Sequence, residues 1–243
     1  MAAIDVRDIT QRYRGRTAVK GVSLAIAEGE THGLLGRNGA GKTTLVEIVA
    51  GLRKPSSGSV RVLGLDSVAD RDRVRAVLGV QLQSNDLHAS LTVAELVDLF
   101  ASFYRRPADR GALVRAVGLH EHRRVRYEHL SGGQQQRLSV VLALIGSPRV
   151  VVLDELTTGL DPDARRTVWR LIEDLRADGV TILLVSHHMD EVHRLCDRIT
   201  VLDRGAVVAT GTPESLIADA GLGGDHRATL EAAFLTLMER HSA

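Results

Sequence analysis

The segment from Gly36 to Thr44 constrains this chain more than any other part of its sequence. It reads GRNGAGKTT and fits the pattern G-x-x-x-x-G-K-[ST], in which a glycine-rich loop joins a strand to a helix. Thr31 to Leu35 before it reads as a short buried strand, and Leu45 to Ala50 after it continues at helical spacing. Glycines let several backbone N–H groups point at one phosphate chain, and the helix N-terminus adds partial positive charge. The segment therefore predicts a nucleotide site.

Two side chains of this loop suit a nucleotide that is bound with Mg²⁺. The compact ammonium of Lys42 can reach the β- and γ-phosphates, and Thr43 can offer its hydroxyl to the metal. The alternative is an ordinary glycine-rich turn. Because lysine occurs only at Lys20, Lys42 and Lys54, we expect a chance match in roughly a few chains per thousand.

Length and composition are those of an ordinary globular protein with one domain. The chain has 243 residues, 44% of them apolar and 25% charged, and its net charge of +1 gives no general attraction to nucleic acid or anionic lipid. The single cysteine, Cys196, excludes an internal disulfide and fits a reducing compartment. No run reaches the roughly 18 apolar residues of a membrane span. Asp5 interrupts the apolar core that a signal peptide would need.

Two more predicted strands end in side chains that suit phosphate chemistry. Val150 to Leu153 is wholly apolar, as in strands buried on both faces of a parallel sheet, and it leads into Asp154 and Glu155. Ligands bind at such strand ends, so Asp154 can hold Mg²⁺ and Glu155 can orient or deprotonate water. Val180 to Val185 precedes His187, whose ring can hydrogen-bond a γ-phosphate oxygen. Simple capping of a strand is the alternative, but the phosphate loop favours the metal interpretation.

A helical segment is predicted between the phosphate loop and these strands. Thr92 starts a helix with the capping-box pattern, and a second helix is predicted from Asp109 to Val117. The run from Ser131 to Gly133 opens a third helix, whose N-terminus is a second place for an anion, although Ser-Gly-Gly is also common in loops. With no strand predicted from 85 to 145, this segment is interpreted as a helical subdomain inserted in an α/β core.

These motifs, in this order, resemble those of the ATP-binding cassette (ABC) family of transporter ATPases. The most specific elements are LSGGQ at Leu130 to Gln134, which is similar to the family signature, and VLDE at Val152 to Glu155. The resemblance runs from Tyr13 to the closing helix. It implies an α/β fold of the P-loop NTPase (RecA-like) type, with an antiparallel β subdomain and an inserted α-helical subdomain that carries the signature.

The resemblance also implies how the chain is divided. We expect a single nucleotide-binding domain over 1–243. Its α/β core with the β subdomain takes 1–84 and 146–215, its helical subdomain takes 85–145, and a C-terminal helical extension takes 216–243.

Site residues follow from the same resemblance, with ATP and Mg²⁺ as the implied cofactors. Tyr13 looks like the residue that stacks on adenine, and Asp161 lies in a loop that crosses between subunits. The residues implied to contact ATP are Tyr13, Asn38, Gly39, Ala40, Gly41, Lys42, Thr43, Thr44, Ser131, Gly132, Gly133, Gln134 and Asp161. Thr43, Gln83 and Asp154 are implied to serve Mg²⁺. Glu155, as catalytic base, with Gln83 and His187, makes up the implied catalytic set.

The implied partners are a second ATPase subunit and an integral membrane permease. The family forms a head-to-tail dimer in its ATP-bound state, and each ATP would lie between Lys42 of one subunit and Ser131 to Gly133 of the other. A homodimer is expected, with no nucleic-acid partner. The expected location is the cytoplasmic face of the cell membrane, where the permease would hold the chain.

Four further segments look like those of daunorubicin-resistance-type exporters: Leu156 to Pro162, Ser186 to Val192, Leu195 to Ile199 and Thr229 to Leu235. They predict the ATP-hydrolysing subunit of an exporter of drugs or other hydrophobic compounds. Two alternatives remain, a soluble cassette ATPase in cofactor assembly or in nucleic-acid or ribosome work, and a degenerate cassette that binds ATP without turnover. Arg37 and Leu156 differ from the residues usual in the family, which bears on local loop geometry.

Overall fold

The computed structural model describes residues 2–82, 87–222 and 229–242. Its strands are β1 Ala2–Tyr13, β2 Arg16–Ala27, β3 Thr31–Gly36, β4 Ser57–Val62, β5 Leu65–Asp66, β6 Leu78–Gln81, β7 Val150–Asp154, β8 Thr181–Val185, β9 Arg198–Asp203 and β10 Ala206–Gly211. Its helices are α1 Lys42–Val49, α2 Arg71–Arg75, α3 Val93–Ala101, α4 Arg110–Ala116, α5 Gly132–Leu144, α6 Pro162–Ala177, α7 Met189–Leu195, α8 Pro213–Ile217 and α9 Leu230–Ser242.

The larger sheet brings the ends of the functional strands to one edge. Its order is β10-β9-β3-β8-β7-β6, in which β3 pairs in parallel with β8 and β9, and β7 pairs in parallel with β8 and β6. Among the described strands of this sheet, β10 alone runs antiparallel, against β9. Since parallel strands end on the same side of a sheet, the segments after β3, β7 and β8 converge.

Both faces of this sheet are covered, which explains the uninterrupted apolar runs. Alternate residues along a strand point to opposite faces, so Leu34 and Leu183 pack into one apolar cluster while Leu35 and Leu184 pack into the other. Every residue of β3, β7 and β8 is buried. The predicted buried strands are confirmed, and the fold is a P-loop NTPase α/β fold with an antiparallel β subdomain.

A four-stranded antiparallel sheet, in the order β2-β1-β4-β5, packs beside α1. Along the second half of each strand, β2 and β4 alternate buried and exposed residues, as half-buried strands do. Strand β1 was missed. Its register shifts between Val6 and Ile9, and Asp8 takes a left-handed φ of 49°, so the alternation of apolar residues is broken.

The helices α3, α4 and α5 lie between β6 and β7 and begin where the sequence predicts. The Thr92 side chain accepts from the Glu95 N–H in a capping box, and Asp109 accepts from the Ala112 N–H. Ser131 caps α5. Apolar residues of these helices share a cluster with one face of the larger sheet. The subdomain boundaries themselves remain predictions.

The last helices pack back onto the sheet. Pro213 occupies the first turn of α8, and α9 contacts β9, β10 and α7. Across the described ranges, no helix combines the length and the apolar character needed to cross a bilayer.

Candidate nucleotide-binding and active site

A cavity of about 840 Å³ opens where β3, β7 and β8 end. Most of the predicted site residues line it, and they come from segments far apart in the sequence. The predicted residues that line it are Tyr13, Asn38, Gly39, Gly41, Lys42, Thr43, Thr44, Asp154, Glu155 and His187. The cavity thus unites the phosphate loop, the acidic end of β7 and the histidine after β8.

The backbone of the loop requires glycine at its last turn. Gly41 has a φ of 105°, and a Cβ there would lie 2.5 Å from the Ala18 carbonyl oxygen, so any side chain would collide with β2. Ala40 is buried, and its N–H donates to the Arg37 carbonyl at 3.1 Å. Ala40 packs behind the loop, so it is not among the residues that line the cavity.

Lys42 lies under the loop with its ammonium bound to main-chain oxygens. Its Nζ donates to the Gly36 carbonyl at 2.6 Å and to the Arg37 carbonyl at 3.2 Å. Burial lowers the pKa of this ammonium, and the carboxylates of Glu155 and Asp154 oppose that change. A charged phosphate oxygen is a stronger acceptor than a neutral carbonyl, so the ammonium can exchange partners when a nucleotide enters.

Asp154 has the features of a carboxylate that supports a cation. Its side chain is 2% exposed, and its Oδ2 is buried with no hydrogen-bond partner among the described residues. Burial, reinforced by the neighbouring Glu155, raises the pKa of Asp154 to about 6, while Lys42 opposes the rise. An orphaned carboxylate oxygen beside the same cavity as the Thr43 hydroxyl fits Mg²⁺, which prefers such oxygen ligands.

The backbone of Glu155 adopts an unusual conformation, which its hydrogen bonds to neighbouring segments hold in place. Its φ of 53° is left-handed, its N–H donates to the Val185 carbonyl at 2.8 Å, and its carbonyl accepts from Gln136 Nε2 at 3.1 Å. Leu156 after it is fully buried. One carboxylate oxygen lies 3.5 Å from His187 Nδ1. Strain of this kind is retained where the surroundings fix a side chain in place.

A buried carboxylate that the sequence analysis missed holds the loop of His187. Glu191 is fully buried and accepts from the Ser186 hydroxyl at 2.6 Å and from Trp169 Nε1 at 3.0 Å. The Ser186 Oγ in turn accepts from the His188 N–H at 3.1 Å. Glu191 thereby ties α6 and α7 to the end of β8.

Tyr13 stands at the mouth of the cavity with 40% of its surface exposed. Its hydroxyl is 3.3 Å from the Thr44 hydroxyl, and the guanidinium of Arg53 lies 5.2 Å from the ring centroid. Arg16, also missed, lines the cavity and donates to the Gly39 carbonyl at 3.1 Å. No pattern in the sequence marks Arg16, because its contact depends on the fold of the β1–β2 hairpin.

The signature residues lie elsewhere. The described residues that line the cavity do not include Ser131, Gly132, Gly133, Gln134 or Asp161. Ser131 and Gly132 are exposed at the N-terminus of α5. This second anion-binding arrangement therefore does not complete the cavity of its own chain.

Three consecutive glutamines fix the start of α5, each through a different neighbour. Gln134 forms the capping box with Ser131, and Gln135 Nε2 donates to the Tyr127 carbonyl at 3.1 Å. Gln136 reaches the Glu155 carbonyl. The signature helix is thus anchored to the segment that carries the proposed base.

Asp161 caps α6 and sits in a loop that touches the signature. Its Oδ1 accepts from the N–H groups of Ala164 and Asp163. Both bonds lower the pKa of the Asp161 carboxyl, and the bond from Ala164 has the larger effect. A Cβ on Gly133 would lie 3.2 Å from Leu160 Cδ2, so the two segments are in contact. The remaining predicted residue, Gln83, lies outside the described residues.

Residues 19–158 match the protein family described as ABC transporter, which is more than half of the chain. The chain belongs to the ABC transporter family. This ABC cassette is also similar to a Nod factor export ATP-binding protein I from Neorhizobium galegae, with 40% identity over 222 residues, 89% of this chain and 64% of that protein. For the relative of the same name from Rhizobium johnstonii, the identity is 39% over 220 residues, 88% of this chain and 71% of that protein. The cassette spans about two thirds of the length of these relatives.

Solved structures show the same fold over nearly all of this ABC cassette. An ATP-binding subunit of an ABC transporter superposes with a TM-score of 0.89 at 27% identity, covering 97% of this chain and 99% of that one. A dimeric ATP-binding cassette in a post-hydrolysis state with ADP and Pi gives a TM-score of 0.80 at 28% identity, covering 86% and 98%.

Proposed function

We propose that this ABC cassette binds ATP with Mg²⁺ and hydrolyses it as the ATP-binding subunit of an exporter. The observation that carries the proposal is the convergence of Lys42, Asp154, Glu155 and His187 on one cavity. Glu155 and His187 are both present and 3.5 Å apart, which argues against a cassette that binds ATP without turnover.

The phosphates would lie along the loop from Asn38 to Thr44, with Lys42 at the β- and γ-phosphates. Thr43 and Asp154 would hold Mg²⁺, which neutralises charge that develops on the phosphate oxygens. Glu155 would orient the attacking water and take its proton, and His187 would hydrogen-bond the γ-phosphate. The other side chains already line the cavity, and the ammonium of Lys42 would exchange its carbonyl partners for phosphate oxygens.

The second half of the site would come from another subunit. Ser131 and Gly132 are exposed at the N-terminus of α5 and lie outside the cavity of their own chain. A head-to-tail homodimer would place them at the γ-phosphate of the partner's ATP, where N–H groups stabilise transition-state charge. That a similar cassette has been solved as a dimer with ADP and Pi supports a dimer.

A groove between the sheet and the helical segment is the surface that we assign to a membrane permease. It has a volume of about 1060 Å³, and Leu52 and Phe103 on its wall are 55% and 68% exposed. Large apolar side chains this exposed favour an interaction site. Docking there would hold the cassette at the cytoplasmic face of the membrane. The curated relatives are export proteins by name, which supports an exporter, and hydrophobic compounds are the proposed cargo.

The decisive experiment compares Glu155→Gln with the parent protein in ATP binding and ATP turnover. We expect the variant to bind ATP and to lose hydrolysis by about 10²- to 10⁴-fold, the usual contribution of a general base. Lys42→Ala should instead weaken nucleotide binding itself, measured by calorimetry. Unchanged turnover in Glu155→Gln would contradict the proposed base. Co-purification with an integral membrane protein tests export, and a partner that is consistently soluble would favour cofactor assembly or ribosome work.

A further inference from the structure

The side-chain amide of Gln134 has a fixed orientation. Its Oε1 accepts from the Ser131 N–H at 2.8 Å, while the Ser131 hydroxyl accepts from the Gln134 N–H at 3.3 Å. A backbone N–H can only donate, so the oxygen of the amide must face Ser131. The NH₂ group of Gln134 therefore faces the other way.

That NH₂ group meets a histidine. Gln134 Nε2 lies 2.8 Å from Nε2 of His122, which belongs to the single turn His120–His122. Since an amide nitrogen only donates, the imidazole nitrogen must accept. The ring of His122 is then neutral, with its proton on Nδ1, and this buried Nδ1 has no hydrogen-bond partner among the described residues. The ring thus accepts one specific bond through Nε2.

The bond to His122 and the bond from the Ser131 N–H favour the same orientation of the Gln134 amide. If His122 Nε2 carried a proton, two donors would face each other. Turning the amide over would relieve that contact, but it would place the NH₂ group against the Ser131 N–H and open the capping box. The acceptor on His122 therefore supports the cap of α5 through Gln134.

We propose that His122 is a positioning residue for the half-site that acts on the partner subunit's ATP. By fixing Gln134, it sets the geometry of Ser131 and Gly132, the exposed start of α5. The inference rests on the proposed head-to-tail dimer. The structure supports an effect confined to that half-site, because neither His122 nor Gln134 is among the described residues that line the cavity with Lys42.

A test can separate the two half-sites. In the Glu155→Gln background, ATP-induced dimerisation is followed by analytical ultracentrifugation with Mg²⁺, and ADP binding to the monomer is measured by calorimetry. ADP lacks the γ-phosphate and reports on the Lys42 half alone. The variants are His122→Leu, His122→Gln and the matched control His120→Leu, which changes an exposed histidine of the same turn.

We expect His122→Leu to raise the ATP concentration for half-maximal dimerisation about tenfold, the effect of one lost part-buried hydrogen bond, with ADP affinity within twofold. His122→Gln should restore dimerisation to within about threefold, because its Oε1 can accept near the position of Nε2. His120→Leu should match the parent. The far-UV circular dichroism spectrum shows, independently of ADP binding, that each variant is folded.

Each contrary result has a distinct meaning. Equal dimerisation of His122→Leu and the parent would overturn the inference, as would weakened ADP binding in a folded His122→Leu. If His122→Gln behaves like His122→Leu, the ring matters for packing and the acceptor role is wrong. If Glu155→Gln itself fails to dimerise with ATP, the proposed dimer fails, and the inference that rests on it fails with it.

Discussion

Gln136 Nε2 donates to the main-chain carbonyl of Glu155 at 3.1 Å, so the signature helix holds the backbone of the proposed base. Glu155 adopts a left-handed φ of 53°, which costs free energy unless its surroundings fix it. The bond from Gln136 is one of the contacts that fix this backbone conformation.

We therefore predict that Gln136→Leu slows ATP hydrolysis about 10- to 100-fold, because a small displacement of a catalytic group has effects of that size. ADP affinity should stay within twofold, since the phosphate loop is untouched. Steady-state kinetics measures the rate of ATP hydrolysis, and calorimetry measures the affinity for ADP. Gln135→Leu is the comparison, as its amide contacts the Tyr127 carbonyl instead. If the two variants slow hydrolysis equally, the loss belongs to the helix as a whole and not to Glu155.

Asp154 should make the stability of the nucleotide-free cassette fall as pH rises. Its pKa is about 6 in the folded chain, above the ordinary value of 3.8, so the native state holds the proton more tightly than the unfolded state. The loss of unfolding free energy that comes from ionising Asp154 is absent below about pH 4 and complete above about pH 6 to 7. Asp154→Asn does not titrate, and it should exceed the parent in unfolding free energy by up to about 3 kcal/mol at neutral pH, but by little at pH 4.

Urea unfolding in EDTA across this pH range measures the difference. Asp72→Asn, at a carboxylate that is 97% exposed, is the matched control and should show no such trend. A constant difference between Asp154→Asn and the parent at all pH values would show that the burial of this carboxylate is not the cause.

Glu191 should be essential for the stability of the segment that carries His187. Glu191→Leu would leave the Ser186 hydroxyl and the Trp169 N–H without their acceptor in a fully buried place, which should cost about 2 to 4 kcal/mol. Glu191→Gln keeps an acceptor and should cost about half as much. Chemical denaturation gives both values. Glu173→Leu, at a half-exposed ion pair with Arg194, is expected to change stability by less than about 1 kcal/mol. An equally small effect at Glu191 would refute the argument.

The groove lined by Leu52 and Phe103 should matter for the membrane partner and not for the isolated cassette. Phe103→Asp puts a charge on an apolar docking surface, so we expect recovery of the co-expressed permease to fall at least tenfold, with ATP binding unchanged. Leu235→Asp is the control, because Leu235 is 47% exposed on α9 and does not line this groove. Equal recovery with both variants would remove the groove from the proposal.

The sequence predicts this site well where the chemistry is local. The phosphate loop, the acidic end of β7 and the capped start of α5 each depend on a few consecutive residues, and the structure has a strand or helix at each predicted place. Strand β1 escaped prediction because repeated register shifts against β2 break its alternation of apolar residues. Arg16 escaped because the carbonyl that it binds is distant in the sequence.

Glu191 and His122 show a second kind of omission. An acidic residue in the first turn of a helix, such as Glu191, resembles a solvated one until Trp169 and Ser186 are seen around it. The sequence gives no sign that His122 and Gln134 meet, since a turn and a separate helix supply them. Such partners are set by tertiary packing and not by local pattern.

The parallel pairing of β3 with β8 and of β8 with β7 has a consequence for how the chain matures. Strand β3 lies near the start of the chain, while β7 and β8 lie far beyond it, so their pairing requires closure of a very long loop. A partly synthesised chain that ends before β8 would possess the phosphate loop without the sheet edge that completes the cavity. Nucleotide binding at the complete cavity would therefore follow the synthesis of β8. A bound nucleotide would then stabilise complete chains and not incomplete ones.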